Sequence, residues 1–135
     1  MPLERFITAQ EPVWAAVTAE LRAGKKRTHW MWFIFPQLAG LGRSPTAMHF
    51  AIADIAEAKP YVQHPVLGAR LRQASALMLS HKGTKADAIL GPVDAAKLRS
   101  SMTLFAMTSQ TDIIFADVLH SFYLAPDPRS IALLS

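Results

Sequence analysis

The chain has 135 residues, of which 51% are hydrophobic and 18% charged, and its formal net charge is +4. A chain of this length buries enough surface to fold without covalent staples, and the absence of cysteine excludes disulfide frameworks, thiolate metal sites and cysteine nucleophiles. The composition also excludes a disordered tail, a collagen-like repeat and a low-complexity segment.

Helical periodicity dominates the first part of the chain. An apolar stripe at spacings of three and four residues predicts a short helix that ends near Gln10. A second helix is predicted to begin at Pro12 and to end at Gly24, because glycine readily adopts the left-handed conformation after a helix end. Thr28 is predicted to cap a helix over His29–Phe35, although this aromatic run also suits a buried strand.

The rest of the chain carries a series of helix starts, each a capping residue or a proline ahead of an apolar stripe. Short connections between them leave little room for a sheet of three or more strands. We therefore predict an all-α fold, a single multihelical domain of short and medium helices over residues 1–135. The predicted starts are Ser44-Pro45, Asp54 with Glu57, His64-Pro65, Thr84 with Asp87, Val93 after Gly91-Pro92, Asp112, and Asp127-Pro128.

Neither an export signal nor a known catalytic signature is found. The longest apolar run, Trp30 to Phe35, is far shorter than the roughly 20 residues that cross a bilayer, and the N-terminus lacks the pattern of a secretory signal. We therefore expect a cytoplasmic protein that does not bind membranes. Glycine-rich phosphate loops and zinc-binding histidine pairs do not occur either, so the sequence predicts no cofactor and no metal.

The first chemically unusual segment is residues 25–37, in which three cations lead into an aromatic run. Its imidazole titrates near neutral pH, its indole faces can stack on a planar base, and its amide can read the edge of a small polar ligand. The alternative is structural, with the aromatic rings in the core and the cations on a solvated loop. The candidate ligand-binding residues here are Lys26, His29, Trp30, Trp32 and Gln37.

The second unusual segment follows one side of a predicted helix. Asp94, Lys97 and Ser101 are spaced three and four residues apart, so an acid, an ammonium and a hydroxyl can converge on one ligand. Asp94 and Lys97, together with His29, are the candidate catalytic residues. A lysine near a serine acts as a base only where burial depresses its pKa. The alternative is an ordinary surface ion pair beside a helix hydroxyl.

The third segment is the glycine-containing loop that leads into the helix predicted at Ser44-Pro45. Backbone N–H groups at a helix start attract anions, and Arg43 adds a fork of hydrogen-bond donors. Arg43 and Ser44 are therefore candidate ligand-binding residues. The alternative is that Ser44 only caps its helix.

Several strings of the chain are similar to a known family. They are Arg5-Phe6, Glu20–Lys26, His29–Gln37, Gly40–Ser44, His64–Leu71 and Asp94–Phe105. Over nearly its whole length the chain resembles a bacterial family catalogued as domain of unknown function 1810. The resemblance implies a small, mostly helical fold and supplies no activity, substrate or catalytic residue. The chain departs from the expected pattern at Ala95, where we expect the family to carry a second acid after Asp94.

The leading functional hypothesis is a pocket for a small anionic or nucleotide-like ligand between residues 25–37 and the helix of Asp94. Pockets join apolar walls to a few convergent polar groups, and the polar residues of the three segments exceed what packing needs. Whether the protein is an enzyme stays open, as does its oligomeric state. One alternative is a protein-interaction or self-association module that uses the aromatic run. Another is a weak nucleic-acid binder, although the small net charge and scattered cations argue against it.

Overall fold

The computed structural model describes residues 3–135, and these residues form ten helices. Within this part of the chain the only extended pairing is a single parallel bridge between Leu38 and Ile52. The predicted all-α fold is thus confirmed, while Met1 and Pro2 lie outside the described residues. The helices are α1 (Glu4–Gln10), α2 (Trp14–Ala23), α3 (Met31–Ile34), α4 (Pro45–His49), α5 (Ile55–Gln63), α6 (Leu67–Leu79), α7 (Ala86–Leu90), α8 (Pro92–Thr108), α9 (Ile114–Phe122) and α10 (Pro128–Leu134).

Helix α8 lies at the centre of the fold and packs against α5, α7, α9 and α10. Its middle turns are buried on every side, and the core side chains there include Leu98, Met102 and Phe105. Helix α6 forms a second central element, in contact with α2, α3, α5 and α9. A helix surrounded in this way needs apolar or internally hydrogen-bonded residues around its whole circumference.

Buried hydroxyl groups of α8 anchor the start of α10. Ser100 donates a hydrogen bond to the carboxylate of Asp127 at 3.1 Å, and the backbone N–H of Asp127 donates to the Thr103 hydroxyl at 2.9 Å. The Ser130 hydroxyl donates to the same carboxylate at 2.6 Å. Burial raises the pKa of Asp127, but the hydrogen bonds from Ser130 and Ser100 outweigh it and hold the pKa below its usual range.

The close approach of α5 and α6 depends on a glycine. A Cβ atom on Gly68 would lie 2.0 Å from the carbonyl oxygen of Val62 and 2.9 Å from a guanidinium nitrogen of Arg72. Real Cβ atoms do not come this close to a backbone oxygen, so only glycine fits at this position.

The helix starts that depend on local hydrogen bonds agree with the prediction. The side chains of Ser44, Asp54 and Asp127 each accept a hydrogen bond from the backbone N–H three residues later, at 3.0 to 3.1 Å. Gly24 ends α2 with a φ of 72°, as expected for a left-handed C-cap. Pro12, however, lies in a turn, and α2 begins two residues later than predicted.

Three of the predicted caps are wrong. Thr28 does not cap α3, because its hydroxyl donates to Glu20 at 2.6 Å, and α3 covers only four residues. Asp112 does not cap α9, because its carboxylate pairs with Arg72 at 2.7 Å. That hydrogen bond holds the pKa of Asp112 below its usual range. At α7 no side chain accepts a capping hydrogen bond, so Thr84 is not a cap either.

Candidate functional site

A buried carboxylate organises the loop that follows α2. Glu20 accepts hydrogen bonds from the backbone N–H groups of Arg27 and Thr28 at 2.6 and 2.9 Å and from the Trp30 indole at 3.1 Å. Burial raises the pKa of Glu20, but these bonds and the one from the Thr28 hydroxyl outweigh it and lower the pKa to about 2. This residue is not among the predicted site residues. The one feature of the sequence that could have indicated Glu20 is its position. It is a charged residue three positions after Val17, beside the apolar stripe of α2.

The loop places Lys26 against the start of α8. The side chain of Lys26 is only 8% exposed, and its Nζ lies 2.9 Å from the Asp94 carboxylate. The same ammonium lies 5.1 Å from the ring centroid of Trp30, at cation–π distance. The backbone N–H of Lys26 also donates to the carbonyl of Ile89 at 2.8 Å. Two segments far apart in sequence therefore meet through this lysine.

Asp94 faces a second ammonium, that of Lys97. The Nζ of Lys97 lies 3.8 Å from the Asp94 carboxylate and 5.1 Å from the ring centroid of Trp32. The ammonium is thus held from two sides, and the Lys97 side chain is 25% exposed. The structure thus brings together Lys26, Trp32, Asp94 and Lys97 from the sequence-predicted residues.

A cleft of about 480 Å³ opens beside Lys97. Besides Lys97, the cleft is lined by the loop before α4, by the first turns of α4 and α8, and by α10. The polar side chains that line it are Gln37, Arg43, Ser44, Lys97 and Arg129. The lining residues include three cations and no carboxylate. Among residues 3–135 neither Arg43 nor Arg129 forms an ion pair, although the charge of Arg129 helps to lower the pKa of Asp127. Arg129 is not among the residues predicted from the sequence.

Backbone contacts hold the loop that carries Arg43. The N–H of Ala39 donates to the carbonyl of Ile52 at 2.7 Å, and the N–H of Ile52 donates to the carbonyl of Gln37 at 2.8 Å. On its other side the loop folds back tightly on α4, since a Cβ atom on Gly42 would lie 2.6 Å from the Cβ of Ala47. The loop is therefore fixed at both ends.

Of the predicted site residues, Gln37, Arg43, Ser44 and Lys97 line the cleft. Lys26, Trp32 and Asp94 lie beside Lys97 but do not line it. His29 is exposed and does not line the cleft. Trp30 is 1% exposed, so its ring offers no face to a ligand. Ser101 is fully buried, outside the cleft, and its hydroxyl has no hydrogen-bond partner among the described residues. Ser44 lines the cleft, but its hydroxyl accepts the capping bond from Ala47, as the structural alternative required.

The described residues offer neither a metal-binding cluster nor a membrane-spanning helix. Residues 3–135 contain no group of three or more His, Asp or Glu side chains that could hold a metal ion. No helix in this range is long and apolar enough to cross a membrane. A further cavity of about 410 Å³ is lined by residues 83–87 and 121–123, where Lys85 and Asp87 contribute opposite charges.

Comparison with known proteins identifies the family. The family model described as "Protein of unknown function (DUF1810)" matches residues 1–134. The chain belongs to the DUF1810 family. The crystal structure of the conserved hypothetical protein Rv1873 from Mycobacterium tuberculosis matches this DUF1810 chain with 47% sequence identity and a TM-score of 0.96. The match covers 98% of this chain and 95% of the mycobacterial one. None of the curated proteins matches the chain.

The fold of this DUF1810 protein is thus shared with a solved structure, and its family carries no assigned activity. The resemblance noted from the sequence is confirmed over the whole matched range. Function has to be argued from the chemistry of the cleft, because a fold alone does not define what a protein binds.

Proposed function

We propose that this DUF1810 protein binds a small anionic ligand in the cleft between the loop before α4 and helices α8 and α10. One observation carries the proposal: Arg43, Lys97 and Arg129 line a single cleft whose lining residues include no carboxylate. Like charges gathered in a concave site raise the local potential and attract a ligand of the opposite charge. Such a potential is stronger in a cleft than on an open face because the walls exclude water.

The charge of Lys97 is left available to a ligand. Asp94 carries one negative charge and faces two ammonium groups, those of Lys26 and Lys97. Lys26 is the closer and the more buried partner, so it balances Asp94 and leaves a net positive charge at the edge of the cleft. The ring of Trp32 and the carboxylate restrict the Lys97 side chain, which reduces the entropy lost when an anion binds.

The other polar groups of the cleft suit recognition of oxyanions. A guanidinium presents a planar fork of donors that matches two oxygens of a phosphate or carboxylate, and Arg43 and Arg129 supply two such forks. Gln37 adds amide donors. The residues that line the cleft include no imidazole and no carboxylate to act as an acid or base. The proposal is therefore one of binding, with no reaction assigned.

Neither alternative function has comparable support. A protein-interaction surface on the aromatic run needs exposed rings. Trp30 and Phe35 are buried, and Trp32 is half-buried with the Lys97 ammonium beside its ring. A nucleic-acid binder would need cations spread along an extended surface. Here the cations of the site line one cavity of about 480 Å³, a size that suits a small molecule.

The proposal predicts that Lys97→Ala weakens binding of inorganic pyrophosphate by about tenfold or more, because one of three cations leaves the cleft. Arg43→Ala is expected to act in the same direction. Isothermal titration calorimetry at low and high salt measures both dissociation constants. Binding should weaken as salt screens the charges.

Two controls separate a specific site from general positive charge. Lys82→Ala removes an exposed cation that does not line the cleft, and His29→Ala removes the exposed imidazole. Both variants are expected to bind pyrophosphate within about twofold of the parent. Equal weakening by Lys82→Ala and Lys97→Ala, or no measurable binding by the parent, contradicts the proposal.

A further inference from the structure

A second cavity, of about 420 Å³, shares a wall with the cationic cleft. Gly42 and Arg43 line both cavities. The consecutive residues Ala47 and Met48 of α4 face one cavity each, Ala47 the cleft and Met48 its neighbour. The loop before α4 therefore separates two adjoining spaces.

The two spaces differ in chemical character. The lining of the second cavity consists of Ala39, Gly40, Gly42, Arg43, Met48 and Ala51. Arg43 is the one polar side chain in that set, and it lies at the shared wall. The rest of the lining offers only methyl groups, a thioether and glycine backbone. A mostly apolar cavity thus adjoins the cationic cleft.

Met48 is one of several exposed apolar side chains, with 66% of its surface exposed. Methionine is flexible and polarizable, and its sulfur makes favourable contacts with aromatic rings. The guanidinium of Arg43 can donate from its edge to an anion while its face stacks on a ring. The indole faces of the site are not free for that purpose, because Trp30 is buried and Trp32 lies beside the Lys97 ammonium.

We infer that the ligand of this protein is an aromatic anion, with its charged group in the cationic cleft and its ring in the second cavity against Met48. This inference rests on the proposed function and adds a ligand class to it. The cleft with Lys97 and Arg129 takes the oxyanion. Arg43 contacts both parts of the ligand, because it lies at the wall between the two spaces.

Calorimetric titration of the full chain with inorganic phosphate, phenyl phosphate and 1-naphthyl phosphate tests the inference. Affinity is expected to rise with ring size, and 1-naphthyl phosphate should bind about tenfold or more tightly than inorganic phosphate. Met48→Ser should reduce this ratio of affinities to less than about threefold, whereas Met48→Leu should keep it. Lys97→Ala should weaken all three ligands and leave the ratio unchanged.

Equal affinities for the three phosphates in the parent protein overturn the inference and leave the proposed anion site intact. The inference is also overturned if Met48→Ser keeps the parent's ratio of affinities for 1-naphthyl phosphate and inorganic phosphate, because the ring then lies elsewhere. Failure of all three to bind overturns the proposed function as well. The uncharged 1-naphthol should bind more weakly than 1-naphthyl phosphate, and equal binding of the two likewise contradicts the anion site.

Discussion

Replacing Glu20 by glutamine is expected to lower the free energy of unfolding by about 3 kcal/mol near neutral pH. The carboxylate accepts four hydrogen bonds, whereas a glutamine amide keeps one acceptor oxygen and turns an NH₂ group towards donors. The same hydrogen bonds lower the pKa of Glu20 to about 2, so they favour the charged carboxylate. Urea denaturation followed by tryptophan fluorescence measures the change. Glu4→Gln, at an exposed position of α1, should change stability by less than about 0.5 kcal/mol.

The effect of Glu20 should depend on pH in a defined direction. The pKa of Glu20 is lower in the folded protein than in the unfolded chain, so its contribution is fully present above about pH 5. It is lost as the pH falls towards 2. The difference in unfolding free energy between the parent and Glu20→Gln should therefore shrink between about pH 5 and pH 2. A difference that stays constant over this interval contradicts the assigned role.

Gly68→Ala is expected to destabilise the protein by about 3 kcal/mol, at the upper end of the range for overpacking. The added methyl group would meet the backbone oxygen of Val62, which cannot rotate away as a side chain can. It would also disturb Arg72, which donates to that oxygen at 3.2 Å and pairs with Asp112. Thermal and urea unfolding measure the loss.

The sign of this effect is diagnostic. At an unrestricted helix position alanine is more stable than glycine by about 1 kcal/mol, so Gly68→Ala would then raise stability. Ala76→Gly, at an exposed position of the same helix, should show that ordinary cost. A Gly68→Ala variant as stable as the parent would mean that α5 and α6 can separate freely.

Features that depend on short-range hydrogen bonds were predictable from the sequence. Ser44 and Asp54 cap their helices because the acceptor and the N–H lie three residues apart, within one turn. Thr28 and Asp112 carry the same chemistry, but their side chains are engaged by Glu20, eight residues away, and by Arg72, forty residues away. Local patterns contain no information about such distant partners, so the capping rule failed there.

The candidate site divides in the same way. The approach of Asp94 to Lys97 follows from helical spacing, so it could be predicted. The arrival of Arg129 depends on how α10 packs, and no pattern in the sequence reports that position. Trp30 was predicted to stack on a ligand, but its indole donates a hydrogen bond to Glu20 inside the protein. The sequence thus indicated which chemical groups a site could use, but it did not indicate which of those side chains are exposed to solvent.

The hydroxyls at the middle of α8 have a consequence for the far wall of the cleft. Ser100 and Thr103 touch no part of that cleft, yet they hold Asp127, and Arg129 follows two positions later. The packing of α10 against α8 and the placement of Arg129 in the cleft should therefore be cooperative. Removal of either hydroxyl should accelerate amide hydrogen exchange in α10. It should also weaken anion binding, although neither Ser100 nor Thr103 contacts the ligand.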